Sequence, residues 1–249
     1  MLDPQEIVDN YLGWSLRFEA PIFLVALYLI SKPFVAFIRD TFGIQPYSLS
    51  MKAAVFIHNV ILAVFSGWVM CNCFPIWKIY LTEEWVSEQY FWDNHIGAWA
   101  IIFYASKYYE FIDSWILVLK GKEPSFLQVY HHAGVVYTMY CTVVHKGNWI
   151  VHLVCLNSFI HTLMYTRYAL VTIMKVKFLD TIAPILTKMQ ITQFFCGIIF
   201  SFSSYFNDKV GEGVKLGLFF MHTYALGLIW LFHEMAKAKY KSKKDQKSK

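Results

Sequence analysis

Charge is scarce in this chain. Asp, Glu, Lys and Arg make up 16% of its 249 residues, where a water-soluble domain carries about 25%, so a water-soluble globular fold is excluded. The first apolar run follows Asp3, Glu6 and Asp9 rather than a basic cluster. A cleavable secretory leader begins basic, so this run is expected to serve as its own insertion signal. No Asn-x-Ser/Thr sequon is present. The five cysteines (Cys71, Cys73, Cys141, Cys155 and Cys196) are odd in number, show no paired spacing and sit in or beside apolar runs. They read as small packing residues rather than as a disulfide framework. There is no internal repeat.

What is abundant is apolar. Hydrophobic residues reach 57% and aromatics 19%, with a mean hydropathy of +0.42. This predicts an all-α, polytopic membrane protein with interfacial Trp and Tyr belts, embedded in a lipid bilayer and with no nucleic-acid partner. A span needs about 20 mostly apolar residues. Seven candidates run from Pro21 to Ile38, Ala53 to Pro75, Gly97 to Leu119, Phe126 to Val144, Trp149 to Ile173, Ile182 to Phe206 and Val214 to Met235. They form one domain over residues 1–236. The lysine-rich tail, 237–249, is expected to be disordered by composition.

Charge also predicts orientation. The connection after the first span carries Arg39 and Lys52, that after the third Lys120 and Lys122, and that after the fifth Lys175 and Lys177. The connection after the second carries Glu83, Glu84, Glu88 and Asp93. The positive-inside rule places the basic connections and the C-terminus in the cytosol and the acidic N-terminus on the far side. That arrangement requires an odd number of spans.

Polar side chains at membrane depth are costly, roughly 2.5–3.5 kcal/mol each for charged types, and several persist here. In the fifth span Asn157, His161, Met164, Tyr165 and Tyr168 fall within about 100° of arc at helical spacing. Such a stripe faces a cavity or other helices, and interhelical hydrogen bonding alone would also account for it. In the fourth, Gln128, His131 and His132 share one face. Two adjacent histidines cannot point the same way, so one can react while the other orients it or carries a proton. In the third, Lys107, Glu110 and Asp113 stand at i, i+3 and i+6. They form either a self-neutralising network or a polar wall with Lys107 open to an anionic ligand. Thr187, Gln190 and Gln193 lie along one side of the sixth. Lys120, Lys122, Arg167, Lys175, Lys177 and Lys188 form a basic rim that suits a topology signal or a phosphate-rich headgroup.

Taken together, KYYEFID (Lys107 to Asp113), QVYHH (Gln128 to His132), NSFIHTLMY (Asn157 to Tyr165) and TKMQITQ (Thr187 to Gln193) resemble, in order, the signature boxes of the very-long-chain fatty acid elongases of the ELO type, membrane 3-oxoacyl-CoA synthases. Two positions depart from the family pattern. Gln128 stands where the histidine box usually opens with His, and Arg167 where Tyr is usual. A Gln-opened box is similar to the branch that elongates polyunsaturated chains, and VLKGKEPSFLQVYHH is similar to the Δ9-type elongases of algae and protists.

The resemblance implies a seven-helix barrel with an enclosed acyl tunnel, residence in the endoplasmic reticulum, and condensation of acyl-CoA with malonyl-CoA without a cofactor or metal. Other enzymes of the elongation cycle and a second copy of the chain are the candidate protein partners. By the family pattern His131 is the nucleophile, giving an acyl-imidazole. His132 and His161 orient it or move protons, and Gln128 and Asn157 donate to a carbonyl or enolate oxygen. Lys107, Lys120 and Lys122 would hold CoA phosphates, and Arg167 would add a cation near the headgroup. Glu110, Asp113, Tyr165, Tyr168, Thr187, Gln190 and Gln193 complete the expected substrate-binding set. Two rival readings carry different tests. A di-iron membrane oxidase also uses HxxHH boxes and would hold stoichiometric iron. A seven-helix receptor or transporter would release no carbon dioxide from malonyl-CoA.

Overall fold

In the computed structural model the backbone is described for residues 3–82, 87–174 and 176–247, and side chains as far as 238. Glu83, Glu84, Lys175 and Lys249 lie outside the described residues, as do the side chains of the tail lysines beyond Lys237. Among the described residues the chain is all helical, with no strand.

The N-terminus enters through short turns, α1 (Pro4–Ile7) and two irregular helical turns up to Leu16. Then come α2 (Glu19–Ile30), α3 (Lys32–Thr41), α4 (Leu49–Thr82), the short α5 (Glu88–Phe91), α6 (Gly97–Tyr109), α7 (Phe111–Leu119), α8 (Phe126–Val144), α9 (Ile150–Ile173), α10 (Lys177–Ser201) and α11 (Glu212–Lys247). Helix therefore covers most of each of the seven predicted segments, but two are interrupted. The first breaks at Ser31, ahead of Pro33 at the start of α3. Proline has no N–H to continue the ladder, and Ser31 Oγ instead donates to Tyr28 O (2.7 Å) while accepting from Trp115 Nε1 (2.8 Å). The third breaks at Glu110, the buried carboxylate of the site described below.

By length and composition, three described helices are apolar enough to cross a bilayer: Leu49–Thr82, Lys177–Phe206 and Glu212–Ala238. A fourth is reached if the turns Pro4–Leu16 and α2, bent by 70°, count as one. Of the other segments, α6 and α7 are each too short because of their break, and α8 and α9 carry the polar stripes. α11 continues to Lys247, into the tail for which composition predicts disorder. Lys and Ala are good helix formers.

The bundle is apolar outside and polar within. Phe23, Phe37, Val64, Ile199, Phe219 and Trp230 face outward, whereas Lys107, Glu110, His132, Asn157 and His161 are buried. Such an exterior is what lipid contact requires, and it would be an aggregation surface in water. The chain is a multi-pass membrane protein. α9 lies centrally, packed along α4 on one side and α10 on the other, while α8 packs between α6 and α11. α7 ends in a Schellman turn, with Gly121 N donating to Val118 O (2.9 Å) and Lys122 N to Leu117 O (2.9 Å). Gly121 takes φ +70 there, a conformation that glycine adopts without strain. Ser125 then caps α8 by accepting from Gln128 N (3.2 Å), and this sets the register that turns the histidines inward.

Candidate active site

The break at Glu110 brings the end of α6 and the start of α7 against α8 and α9. Lys107 Nζ donates to Glu110 Oε1 (2.6 Å) and to Asn157 Oδ1 (3.3 Å), and it stands 3.9 Å from the centre of the Phe103 ring. His161 Nδ1 lies 3.7 Å from the same Glu110 oxygen. Lys107 and Glu110 are each 2% exposed. The ion pair therefore sits in low dielectric, where a lost partner is costly. Asn157 gives its oxygen to Lys107, so its amide N–H groups remain available as donors.

His131 and His132 follow on α8, their rings 5.3 Å apart and nearly perpendicular. His132 is packed against the rings of Tyr28 and Phe111, and its Nδ1 and Glu110 Oε2 have no hydrogen-bond partner among the described residues. His131 opens onto a cavity of about 690 Å³, part of it open space. Lys107, Asn157 and Gln193 share that end of the cavity, and its middle is walled by apolar residues such as Val135, Leu156 and Phe194. Tyr224 of α11 donates to His131 O (2.9 Å). Gly134, one turn on, lets this tyrosine approach, for a Cβ there would lie 2.5 Å from its ring.

The remaining expected residues fall into other groups. Asp113 is not beside Lys107. It accepts from His58 Nε2 (2.9 Å) and from Tyr165 OH (2.7 Å), and Tyr165 in turn meets the His161 ring edge-on. The i, i+3, i+6 series thus splits: Lys107 pairs with Glu110, while Asp113 is hydrogen-bonded to α4 and α9. Gln128 directs its amide to Ser114 Oγ (3.1 Å), which is also bonded to Tyr28 OH (2.9 Å), and it does not line the cavity. Lys107 is at depth and paired, apart from the rim. Lys122 is exposed and Lys120 partly so. Arg167 donates to Leu179 O (2.7 Å) and reaches Asp180 (3.8 Å), which fastens α9 to the start of α10. Thr187 bonds its own helix at Ala183 O, and Gln190 contacts Met164 Sδ (3.3 Å). Tyr168 is partly exposed.

Sequence reasoning passed over His58, Ser114, Tyr28 and Tyr224. His58 carried a usable signal, since an ionisable residue in an apolar span calls for a partner on a neighbouring helix. The other three are ordinary helix residues that only packing brings to the site.

The profile of the ELO family, described as GNS1/SUR4, matches residues 14–248. The chain belongs to the ELO family. Among its relatives, the fatty acid elongase sre1 of Dictyostelium discoideum is 32% identical over 215 residues, 77% of this chain and 78% of that protein. A fatty acid elongase 2 of Trypanosoma cruzi is 26% identical over 74% of this chain and 72% of its own. A putative fatty acid elongase 3 of Caenorhabditis elegans is 28% identical over 82% and 68%. The chain is accordingly a fatty acid elongase, an enzyme of the condensing acyltransferase type that acts in lipid metabolism at a membrane. Membership sets aside the di-iron oxidase and the receptor. In this elongase Lys107, Asn157 and His131 line the polar end of an apolar cavity, with Glu110, His132 and His161 buried beside them.

Proposed function

We propose that this elongase condenses a long-chain acyl-CoA with malonyl-CoA to give a 3-oxoacyl-CoA two carbons longer, releasing carbon dioxide and CoA. The observation that carries the reading is the junction of His131 with Lys107 and Asn157 at the head of an apolar cavity. Reactive groups stand where the cavity is polar, and its apolar middle suits a hydrocarbon chain.

In this mechanism the neutral imidazole of His131 attacks the thioester carbonyl, the C–S bond breaks, and CoA leaves as the thiolate. Covalent catalysis of this kind divides one hard step into two. Malonyl-CoA then loses carbon dioxide, and the electron pair left behind forms an enolate. Its carbon attacks the acyl-imidazole, the C–N bond breaks, and His131 returns to its starting state. The Asn157 amide and the Lys107 ammonium face the oxygens on which negative charge gathers, and preorganised donors in a dry site are effective there. Glu110 holds Lys107 in place and balances its charge, and His161 stands beside the same carboxylate. Gln128 acts through Ser114 rather than by touching substrate. Lys120 and Lys122 meet CoA phosphates at the rim.

The same reading places the seven helical segments across the membrane of the endoplasmic reticulum, with the basic connections and C-terminus in the cytosol. The acyl chain occupies the cavity between α8, α9, α10 and α11. The Gln128-opened box favours polyunsaturated chains. No cofactor takes part, and other enzymes of the elongation cycle act on the product.

Purified full-length protein given both thioesters is expected to release carbon dioxide and 3-oxoacyl-CoA in equal amounts. With acyl-CoA alone, it is expected to gain the mass of one acyl group on the peptide that holds His131. His131→Ala should abolish both signals. A variant that still condenses would refute the nucleophile, and a wild-type protein that lengthens no chain would refute the reaction.

A further inference from the structure

The far end of the cavity is not hydrocarbon-like. His152 and the pair Ser201–His222 lie there. His222 is saturated by its neighbours. Ser201 Oγ donates to Gly197 O (2.6 Å) and so accepts from His222 Nε2 (2.8 Å), while Tyr205 OH donates to His222 Nδ1 (3.3 Å). His152 is not saturated. Trp77 Nε1 can only donate, and it donates to His152 Nδ1 (2.7 Å), so the ring's proton is on Nε2. That N–H has no hydrogen-bond partner among the described residues, although His152 is 2% exposed. The rings of Tyr80 (5.1 Å, 83°) and Phe200 (5.6 Å) hold the imidazole in place. The nitrogen is not sealed off, for His152 lines the cavity; its N–H faces whatever fills that space, and a saturated chain would leave it unmet at a cost.

Asn157 lies five positions beyond His152 on α9, about 7.5 Å along the axis. An extended chain advances roughly 1.2 Å per bond, which sets the donor about six bonds beyond the level of Asn157. We propose that His152 is a specificity-determining residue, whose Nε2–H selects acyl chains that carry a cis double bond in their middle portion. N–H groups interact favourably with π electrons. A hydroxyl oxygen would also accept, but it brings a hydrogen of its own, and the wall beside His152 meets that hydrogen poorly: Leu153 and Ile198 have no acceptor, the Met221 sulfur accepts weakly, and the Ser201 oxygen already accepts from His222. This deepens the condensation reading and rests on it.

The test compares wild type, His152→Phe and His152→Gln as full-length proteins. Their substrates are acyl-CoAs of equal length that are saturated, cis-unsaturated at successive carbons, or hydroxylated at those carbons. Wild type should prefer one narrow set of unsaturated positions over the saturated chain by about two- to fivefold in kcat/KM. His152→Phe should lose that ratio. His152→Gln should keep it, because the amide can accept from Trp77 and still donate. A preference that survives in the Phe variant, is missing in wild type, or is lost equally in both variants would overturn the proposal, as would a preference for the hydroxylated chains. Elongation of the saturated chain by wild type tests condensation separately. If nothing is lengthened, the same ratio is read from retention of each acyl-CoA by the protein in native mass spectra.

Discussion

Removing either half of the Lys107–Glu110 pair should destabilise this elongase far more than removing both. The two side chains are 2% and 3% exposed and 2.6 Å apart. At an effective dielectric of about 20, unit charges at that distance attract by about 6 kcal/mol. Desolvating both ions takes back several kcal/mol, so the net worth of the intact pair is small. The single variants are different. Among the described residues, Lys107→Met leaves a buried carboxylate with one unmet oxygen already, and Glu110→Leu leaves a buried ammonium with only Asn157 and the Phe103 face. Each should cost about 3–5 kcal/mol. The double variant should cost less than either, because no uncompensated charge remains. Reversible denaturation in mixed micelles, followed by tryptophan fluorescence, measures all four corners of this cycle. Condensation should be lost in all three variants, since the double one restores packing and not the donor. Singles that cost under about 1 kcal/mol, or costs that merely add in the double variant, would refute the claim of a dry, coupled pair.

Three other outcomes are expected. Gln128→His should keep turnover, because an imidazole N–H can replace the amide that donates to Ser114; a dead variant in the condensation assay would show that the carboxamide itself is needed. Gly134→Ala should displace Tyr224 from the His131 carbonyl and cost about 1–3 kcal/mol through overpacking, with a fall in kcat read beside a thermal melt. The third concerns pH. Glu88, on the connection between α4 and α6, is pushed up to about 7 by burial, and it accepts from the Asn148 amide. Its folded state holds the proton more tightly than the unfolded chain does. Its contribution to stability is therefore complete below about pH 4.5 and is lost as pH rises through 7. The protonated acid can also donate to Asn148 Oδ1, which has no partner among the described residues. Melting temperatures should fall between pH 5 and pH 7.5, and Glu88→Gln should flatten that slope.

Much of the site could be read from residue types. His131, His132, His161, Asn157, Lys107 and Glu110 stood out because polar groups inside greasy segments demand partners, and these six do meet. The same rule applied to His58 would have found the Asp113 contact. Pairing partners were less legible. Helical spacing allows Lys107, Glu110 and Asp113 to act as one network, yet Asp113 turns to α4 and α9. Gln128 shares a face with His131 by angle, but Ser114 and Tyr28 draw its amide away from the cavity. In both cases a neighbouring helix offered a better partner than the chain's own next turn.

Composition alone determined that this elongase is helical, apolar outside and embedded in lipid, because the cost of bare backbone in hydrocarbon leaves few other solutions for such a chain. Hydropathy also located most of the helices. Only the tertiary structure decided where the third segment breaks, which imidazole opens onto the cavity, and that the His152 N–H at its far end meets no acceptor among the described residues. Those outcomes depend on distances of a few ångströms between helices remote in sequence, and no local pattern of residues encodes them.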